Sequence, residues 1–326
     1  MKIARYGRIG LLSLGLLSMQ HVLAAVSDTI PEQSWGLVNV SVANVRTEPR
    51  HGAELSTQTL LGTPVRLTAK TDNGWYKAVL PDGYTGYIIG NSLALKSDDE
   101  MARWRNADRV TVIVPSEIKA YTDSATLNCE LIVSDLVAGN ILERSPLSTT
   151  RNVNVIYPDG RTAWVPRGDV SNIEAWANTP FNDDLILYYA YSCLGAPYLW
   201  GGTSSKGMDC SGLTKLAYYA NGLIILRDAS QQARSGIPVY NNDFESGDLL
   251  FFGNKETGRV NHVGIYIHDG RYIESSGRVR LNDLASSPNF LFGRRLRYNI
   301  GCPDVLPVAQ HPWYFNLPST PSQTQP

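Results

Sequence analysis

An eight-residue pattern occurs twice in the chain: Pro81-Asp82-Gly83-Tyr84-Thr85-Gly86-Tyr87-Ile88 and, 77 residues later, Pro158-Asp159-Gly160-Arg161-Thr162-Ala163-Trp164-Val165. Four of the eight positions are identical, and both copies end on an aromatic followed by a β-branched residue. In each, an alternating apolar run leads into a Pro-Asp-Gly turn and a second short strand follows, the pattern of a β-hairpin. Two similar small β units are therefore expected. Around the first copy, residues 40–45, 64–68, 75–80 and 84–89 read as short strands broken by turns. Ser97-Asp98-Asp99-Glu100 is a capping box opening a short polar helix through Arg105, expected to link the two units. Over 110–170 the β pattern returns, less regular, with a Ser/Thr-rich loop at 145–151.

After Pro180 the texture changes. Asn182-Asp183-Asp184 can cap a helix that carries Leu185, Ile186, Tyr189 and Cys193 and stops at Gly195. A second helix is expected to begin near Cys210, with Leu213, Leu216, Ala217 and Ala220 on one face at helical spacing. Strands follow at 248–252, 262–267 and 271–274. Helices first and an antiparallel sheet afterwards make an α+β domain. From Cys302 onward the chain is rich in Pro, Ser, Thr and Gln without periodicity, which suggests a loosely attached tail.

At the other end, Lys2, Arg5 and Arg8 precede an apolar run, and Val22-Leu23-Ala24-Ala25 offers small residues for cleavage, the layout of a secretory signal peptide. The 326 residues then leave room for two or three domains. Losing three cations and no anions takes the net charge from −1 to −4, so an anionic polymer held by bulk charge, nucleic acid above all, is not the expected partner. The mature chain keeps Cys129, Cys193, Cys210 and Cys302, and an exported protein can form disulfides. No Cys or His spacing marks a metal site, so none is expected.

Asp209-Cys210-Ser211-Gly212 follows the glycine-bearing stretch Tyr198-Leu199-Trp200-Gly201-Gly202 and opens the second helix. A thiol in the first turn of a helix lies at the positive end of the backbone dipole, which favours thiolate. A base is available in Asn261-His262-Val263-Gly264-Ile265-Tyr266-Ile267, where Val263, Ile265 and Ile267 point to one face of a strand and His262 to the other. If the start of the Cys210 helix packs on that other face, thiol and imidazole form an activated pair. Across the turn His268-Asp269-Gly270, a three-residue loop with Gly270 left-handed makes 267 oppose 271 and 264 oppose 274, so that His262 and Glu274 share a face. A two-residue loop would turn Glu274 to the opposite face.

Y-L-W-G-G, D-C-S-G, R-D-A-S-Q-Q, G-D-L-L-F-F and N-H-V-G-I-Y, in this order, resemble the NlpC-type bacterial cell-wall cysteine peptidases. The two repeats resemble the bacterial SH3-like domains that precede the catalytic domain in one branch, the γ-D-glutamyl-L-diamino acid endopeptidases. The resemblance implies a signal peptide at 1–25, SH3-like barrels at 36–96 and 108–172, a helical linker at 97–107, a papain-like peptidase domain at 180–300 and a tail at 303–326.

By the same resemblance, Cys210 matches the nucleophile and His262 the base, while Glu274 stands where a His is usual. Glu accepts the imidazole N–H and stabilises its cation more than a neutral His does, so an altered pH profile is expected. Tyr198, Trp200, Asp209, Ser211 and Asp228 match binding positions of the catalytic domain; Glu54 and Tyr84 are the matching contributions of the first barrel. Ala229 replaces a frequent Ser, which removes one hydrogen bond. The implied activity is cleavage after the γ-linked D-glutamate of peptidoglycan stem peptides bearing a free N-terminal L-alanine. It implies no cofactor and a monomer free of the membrane after signal cleavage, in the periplasm or the medium. An amidase or acyltransferase of the same fold, or a cell-wall adhesin with a weak catalytic domain, would share much of the pattern. The preferred diamino acid and the pairing of Cys129, Cys193 and Cys302 stay open.

Overall fold

Alternation of apolar and polar side chains builds both small sheets. In the strand Pro64–Thr71, for example, Val65, Leu67 and Ala69 are buried while Arg66, Thr68 and Lys70 face outward. The computed structural model describes residues 28–29, 31–124 and 131–317. The expected signal peptide, Cys129 and the last nine residues lie outside the described residues.

The first sheet contains β1 (Trp35–Val38), β2 (Val42–Arg46), β3 (Leu55–Leu60), β4 (Pro64–Thr71), β5 (Trp75–Val79), β6 (Thr85–Ile89) and β7 (Leu93–Lys96). Their order is β3-β2-β6-β5-β4-β1-β7, with the two residues Asp28–Thr29 added to β4 off this path. The second sheet contains β8 (Arg109–Val112), β9 (Ile118–Tyr121), β10 (Ile132–Leu136), β11 (Ile141–Arg144), β12 (Asn152–Ile156), β13 (Thr162–Pro166) and β14 (Val170–Asn172). Its order, β10-β9-β13-β12-β11-β8-β14, repeats the first strand for strand. The sequence repeat is therefore the β5–β6 and β12–β13 hairpins of one topology used twice. Each sheet wraps its own apolar cluster, around Val45, Val65 and Ile88 in one and Val110, Val155 and Val165 in the other.

Helix α1 (Asp98–Asn106) starts at the Ser97–Glu100 capping box, with both reciprocal bonds formed. It is more than a polar connector: Met101 and Trp104 are buried with Trp35 and Tyr314. Helix α2 (Ile173–Ala177) leaves the second sheet and leads to α3 (Asp183–Ser192), α4 (Cys210–Tyr219) and the short α5 (Ala229–Gln232). A six-stranded antiparallel sheet follows: β15 (Ile237–Val239), β16 (Leu249–Gly253), β17 (Val260–Tyr266), β18 (Arg271–Ser276), β19 (Arg278–Asp283) and β20 (Phe290–Arg295). The order is β15-β20-β16-β17-β18-β19. Helices α3 and α4 bury Ile186, Leu213, Leu216 and Ala217 against Phe251, Val263, Ile265 and Ile273 of this sheet.

Residues 303–317 do not form the loose tail that their composition suggests. Val305–Pro307 pairs with Leu223–Ile225, and Val308, His311 and Tyr314 are at most 5% exposed. Their burial against Trp104 and Trp176 anchors the segment more firmly than Pro and Ser loosen it. Among the described residues, Cys193, Cys210 and Cys302 are free.

Candidate active site

Cys210 is the first residue of α4, and the reason the helix starts there is Asp209. This side chain accepts a hydrogen bond from the Gly212 N–H at 2.7 Å, an N-cap in the required geometry. Gly212 has to be glycine, because a Cβ would sit 2.0 Å from the Gly202 carbonyl oxygen. The loop before the helix is thus pressed onto its first turn. Gly201, at φ +78°, also approaches the Leu55 carbonyl of β3 too closely for a side chain, with 2.5 Å left for a Cβ.

A buried cation ties together the residues on either side of Cys210. Arg227, 2% exposed, donates to both oxygens of Asp209 at 3.1 and 2.5 Å, to the Ser211 hydroxyl at 2.8 Å and to the Thr57 hydroxyl of the first sheet at 2.7 Å. Burial works against the guanidinium charge, but the Asp209 carboxylate outweighs it and holds the group more firmly protonated than usual. Asp209 also accepts from the Gly201 N–H at 2.9 Å. Asp209 and Ser211, on either side of Cys210, are therefore 6% and 4% exposed, with their polar atoms engaged by protein. Arg227 was not singled out from the sequence. Its signal was a lone cation directly after the apolar run Leu223-Ile224-Ile225-Leu226 and before Asp228.

The turn after β17 has the three-residue form. Ile267 opposes Arg271, Gly270 is left-handed at φ +76°, and Gly264 pairs with Glu274. His262 and Glu274 accordingly share one face and meet, Nε2 to Oε2, at 2.6 Å. The body of α4 lies on the opposite face, with Val263 and Ile265. Cys210, in the first turn of α4, lies close enough to the imidazole at the start of the strand to act on its charge. Burial opposes a charged imidazole here, yet Cys210 and Glu274 together push the His262 pKa up to about 9. Burial likewise opposes the Glu274 carboxylate, and His262, Arg280 and Asn282 overcome it and hold its pKa below the usual value. The Phe252 ring stands 5.6 Å from His262 and stacks on Tyr272 at 5.0 Å, which shields this pair from one side.

Tyr198 reaches the site from the loop before α4, held by a bond from its backbone N–H to the Gly277 carbonyl. Burial, with Cys210 and Asp209 adding to it, pushes its pKa up to about 12, so the hydroxyl remains a donor near neutrality. Two further carboxylates bracket the seam between the first sheet and the peptidase domain. Glu54 accepts from the Trp200 indole N–H at 2.8 Å, and the Tyr84 hydroxyl meets both oxygens of Asp228 at 3.2 and 3.3 Å. The Pro-Asp-Gly turn itself is anchored: Asp82 pairs with Lys215 of α4 at 2.5 Å, and the Pro81 carbonyl with His311 at 3.0 Å. Among the described residues, no group of His, Cys, Asp and Glu is arranged to hold a metal ion.

Known proteins resemble this chain in sequence and in fold. The NlpC/P60 family pattern matches residues 195–289, and that of the bacterial dipeptidyl-peptidase SH3 domain matches residues 45–93. The γ-D-glutamyl-L-lysine dipeptidyl-peptidase of Bacillus cereus is 31% identical over 260 residues, covering 76% of this chain and 75% of its own. Dipeptidyl-peptidase 6 of Lysinibacillus sphaericus is 29% identical over 76% of this chain and 91% of its own. The crystal structure of an NlpC/P60 family protein from Bacillus cereus superposes with a TM-score of 0.71 at 25% identity, over 80% of this chain and 99% of that one. The chain belongs to the NlpC/P60 family of cysteine peptidases and carries a dipeptidyl-peptidase SH3 domain ahead of its peptidase domain.

Proposed function

We propose that this peptidase hydrolyses the γ-D-glutamyl-L-diamino acid bond of peptidoglycan stem peptides whose N-terminal L-alanine is free, after export to the periplasm or the medium by the segment at 1–25. The observation that carries this reading is the pair Glu54 and Asp228. Each carboxylate is hydrogen-bonded by a neutral aromatic donor, Trp200 or Tyr84, where the first SH3 domain meets the peptidase domain; in this reading the first SH3 domain closes the substrate groove there. An ammonium is the ligand such a pair selects, and a closed end limits the peptide to few residues before the cleaved bond.

In this reading the Cys210 thiolate attacks the γ-carbonyl of D-glutamate. The Cys210 backbone N–H and the Tyr198 hydroxyl donate to the oxyanion. His262, cationic beside Glu274, gives its proton to the leaving amine of the diamino acid, and a thioester remains on Cys210. Water that loses its proton to His262 then releases L-Ala-D-Glu. Asp209, Ser211 and Arg227 hold the first turn of α4 in register for that attack.

The test is to incubate the protein with L-Ala-γ-D-Glu-L-Lys and with its N-acetylated form and to identify products by mass spectrometry. L-Ala-D-Glu is expected from the free-amine peptide alone, and none from either with Cys210→Ala. Equal cleavage of both peptides would refute the role of the carboxylate pair. Cleavage of neither, with cell walls still bound, would refute the activity.

A further inference from the structure

Glu274 occupies a position that costs a carboxylate dearly: it is 3% exposed, and an uncompensated charge there would destabilise the fold. One oxygen is spent on His262. The other, Oε1, accepts from Arg280 through Nε and Nη2, both at 2.9 Å, and from the Asn282 amide at 3.1 Å. These two donors come from β19, the edge strand of the sheet. Arg280 is the direct cross-strand partner of Glu274, and Asn282 is the partner of Tyr272 two residues further along. We propose that Arg280 and Asn282 are positioning residues of this active site: they clamp Oε1 of Glu274 so that Oε2 serves His262 alone, and Arg280 supplies the counter-charge that a glutamate, unlike a neutral histidine, requires there.

The chemistry explains why both are needed. A glutamate side chain has three rotatable bonds, so aiming one oxygen at an imidazole demands that the other be fixed. A free carboxylate against an imidazolium would also hold its proton too strongly for transfer to a leaving amine. The Arg280 cation on the far oxygen draws charge away and leaves His262 able to act as an acid. The charged and titratable groups facing this pair are Cys210 from α4, Tyr272 from β18 and Arg280 from β19, while Tyr198 from the loop before α4 faces Cys210. From β16, Phe252 contributes only an aromatic ring. Arg280 is therefore the one guanidinium that bonds directly to the Cys210–His262–Glu274 chain among the described residues.

The proposal rests on Cys210 and His262 being the reacting pair, but not on which peptide is cleaved. Its main test therefore uses no substrate: the rate of Cys210 alkylation by iodoacetamide is followed against pH, resolved from the other cysteines by peptide mass spectrometry. Removing a nearby cation raises the pKa values of the coupled pair, and removing an anion lowers them. Arg280→Gln is expected to move the alkylation midpoint up by about half a pH unit or more, and Glu274→Gln to move it down. Arg280→Lys should recover most of the shift. Asn282→Ala should leave the midpoint in place while the rate of peptide cleavage falls several-fold. The double variant Glu274→Gln/Arg280→Gln should melt higher than Arg280→Gln, since no buried carboxylate is then left alone. A purely structural arginine would lower the melting temperature without moving the midpoint. That result, or a midpoint that falls in Arg280→Gln, would overturn the proposal.

Discussion

The two Pro-Asp-Gly hairpins have the same backbone and the same place in the same strand order, yet they do different work. In the first, Asp82 pairs with Lys215 of α4, the helix that Cys210 opens, and Tyr84 is hydrogen-bonded to Asp228. In the second, Asp159 pairs at 2.8 Å with Arg161 two residues on; Arg161 packs over Tyr157 and donates to the Asn39 carbonyl of the first sheet at 2.9 Å. The second sheet also holds the first by bonds from Asn140 to Ser41 and from Ile141 to Leu61. In the proposed reading, one copy forms part of the active-site wall and the other a brace behind it. The position that separates them most is Tyr84 against Arg161. A phenol donates to a carboxylate without adding a charge of its own, whereas a guanidinium adds a positive one.

That difference predicts the largest effect. Tyr84→Arg, which writes the second copy into the first, puts a cation on Asp228 in competition with the ammonium of the peptide. kcat/KM for the free-amine substrate is expected to fall about 100-fold or more. Tyr84→Phe loses one hydrogen bond to a charged group and should cost about tenfold, mainly in KM. Steady-state kinetics on L-Ala-γ-D-Glu-L-Lys measures both. If Tyr84→Arg cleaves as fast as the unaltered protein, the first hairpin is a brace like the second.

The aspartates of the two turns give the next contrast, in stability. Asp82 is nearly buried against a mostly buried Lys215, whose ammonium would keep only the Ile225 carbonyl if the carboxylate were removed. Asp82→Asn is expected to destabilise by about 3 kcal/mol. Asp159 and Arg161 lie in solvent at 29% and 42% side-chain exposure, so Asp159→Asn should cost less than about 1 kcal/mol. Urea unfolding of the two variants side by side reads the difference, and equal losses would show that the first turn is not docked on α4.

How much of this is legible in the sequence depends on whether a signal is local. The Cys210 helix is legible because a cap, a nucleophile and apolar residues at helical spacing fall within a dozen positions. The pairing of Glu274 with His262 is legible because a single turn residue, Gly270, sets the register between them. Arg280 and Asn282 are reached only after a second tight turn at Gly277, and the alternation of Arg278-Val279-Arg280-Leu281-Asn282-Asp283 reads as a solvated strand unless it is laid beside Glu274. The face on which α4 packs is a tertiary fact: the strand's alternation sends His262 away from the helix body, and only the end of the helix meets it. The last segment was hidden by its prolines, although Trp313-Tyr314-Phe315 is an aromatic cluster that a free tail would leave in water.

The smallest predicted effect tests the brace. Arg161→Gln removes one exposed hydrogen bond to Asn39, the exposed ion pair with Asp159 and one cation–π contact with Tyr157. Each is worth about 1 kcal/mol or less at an exposed site. The melting temperature should drop by a few degrees at most, since larger buried contacts, such as Ile141 packing against Gly62, also join the two sheets. kcat/KM should not change, because Arg161 touches nothing that reaches Asp228 or Cys210. A several-fold loss of kcat/KM with an unchanged melting temperature would mean that the second hairpin signals to the groove through the first, and the division of labour between the copies would have to be redrawn.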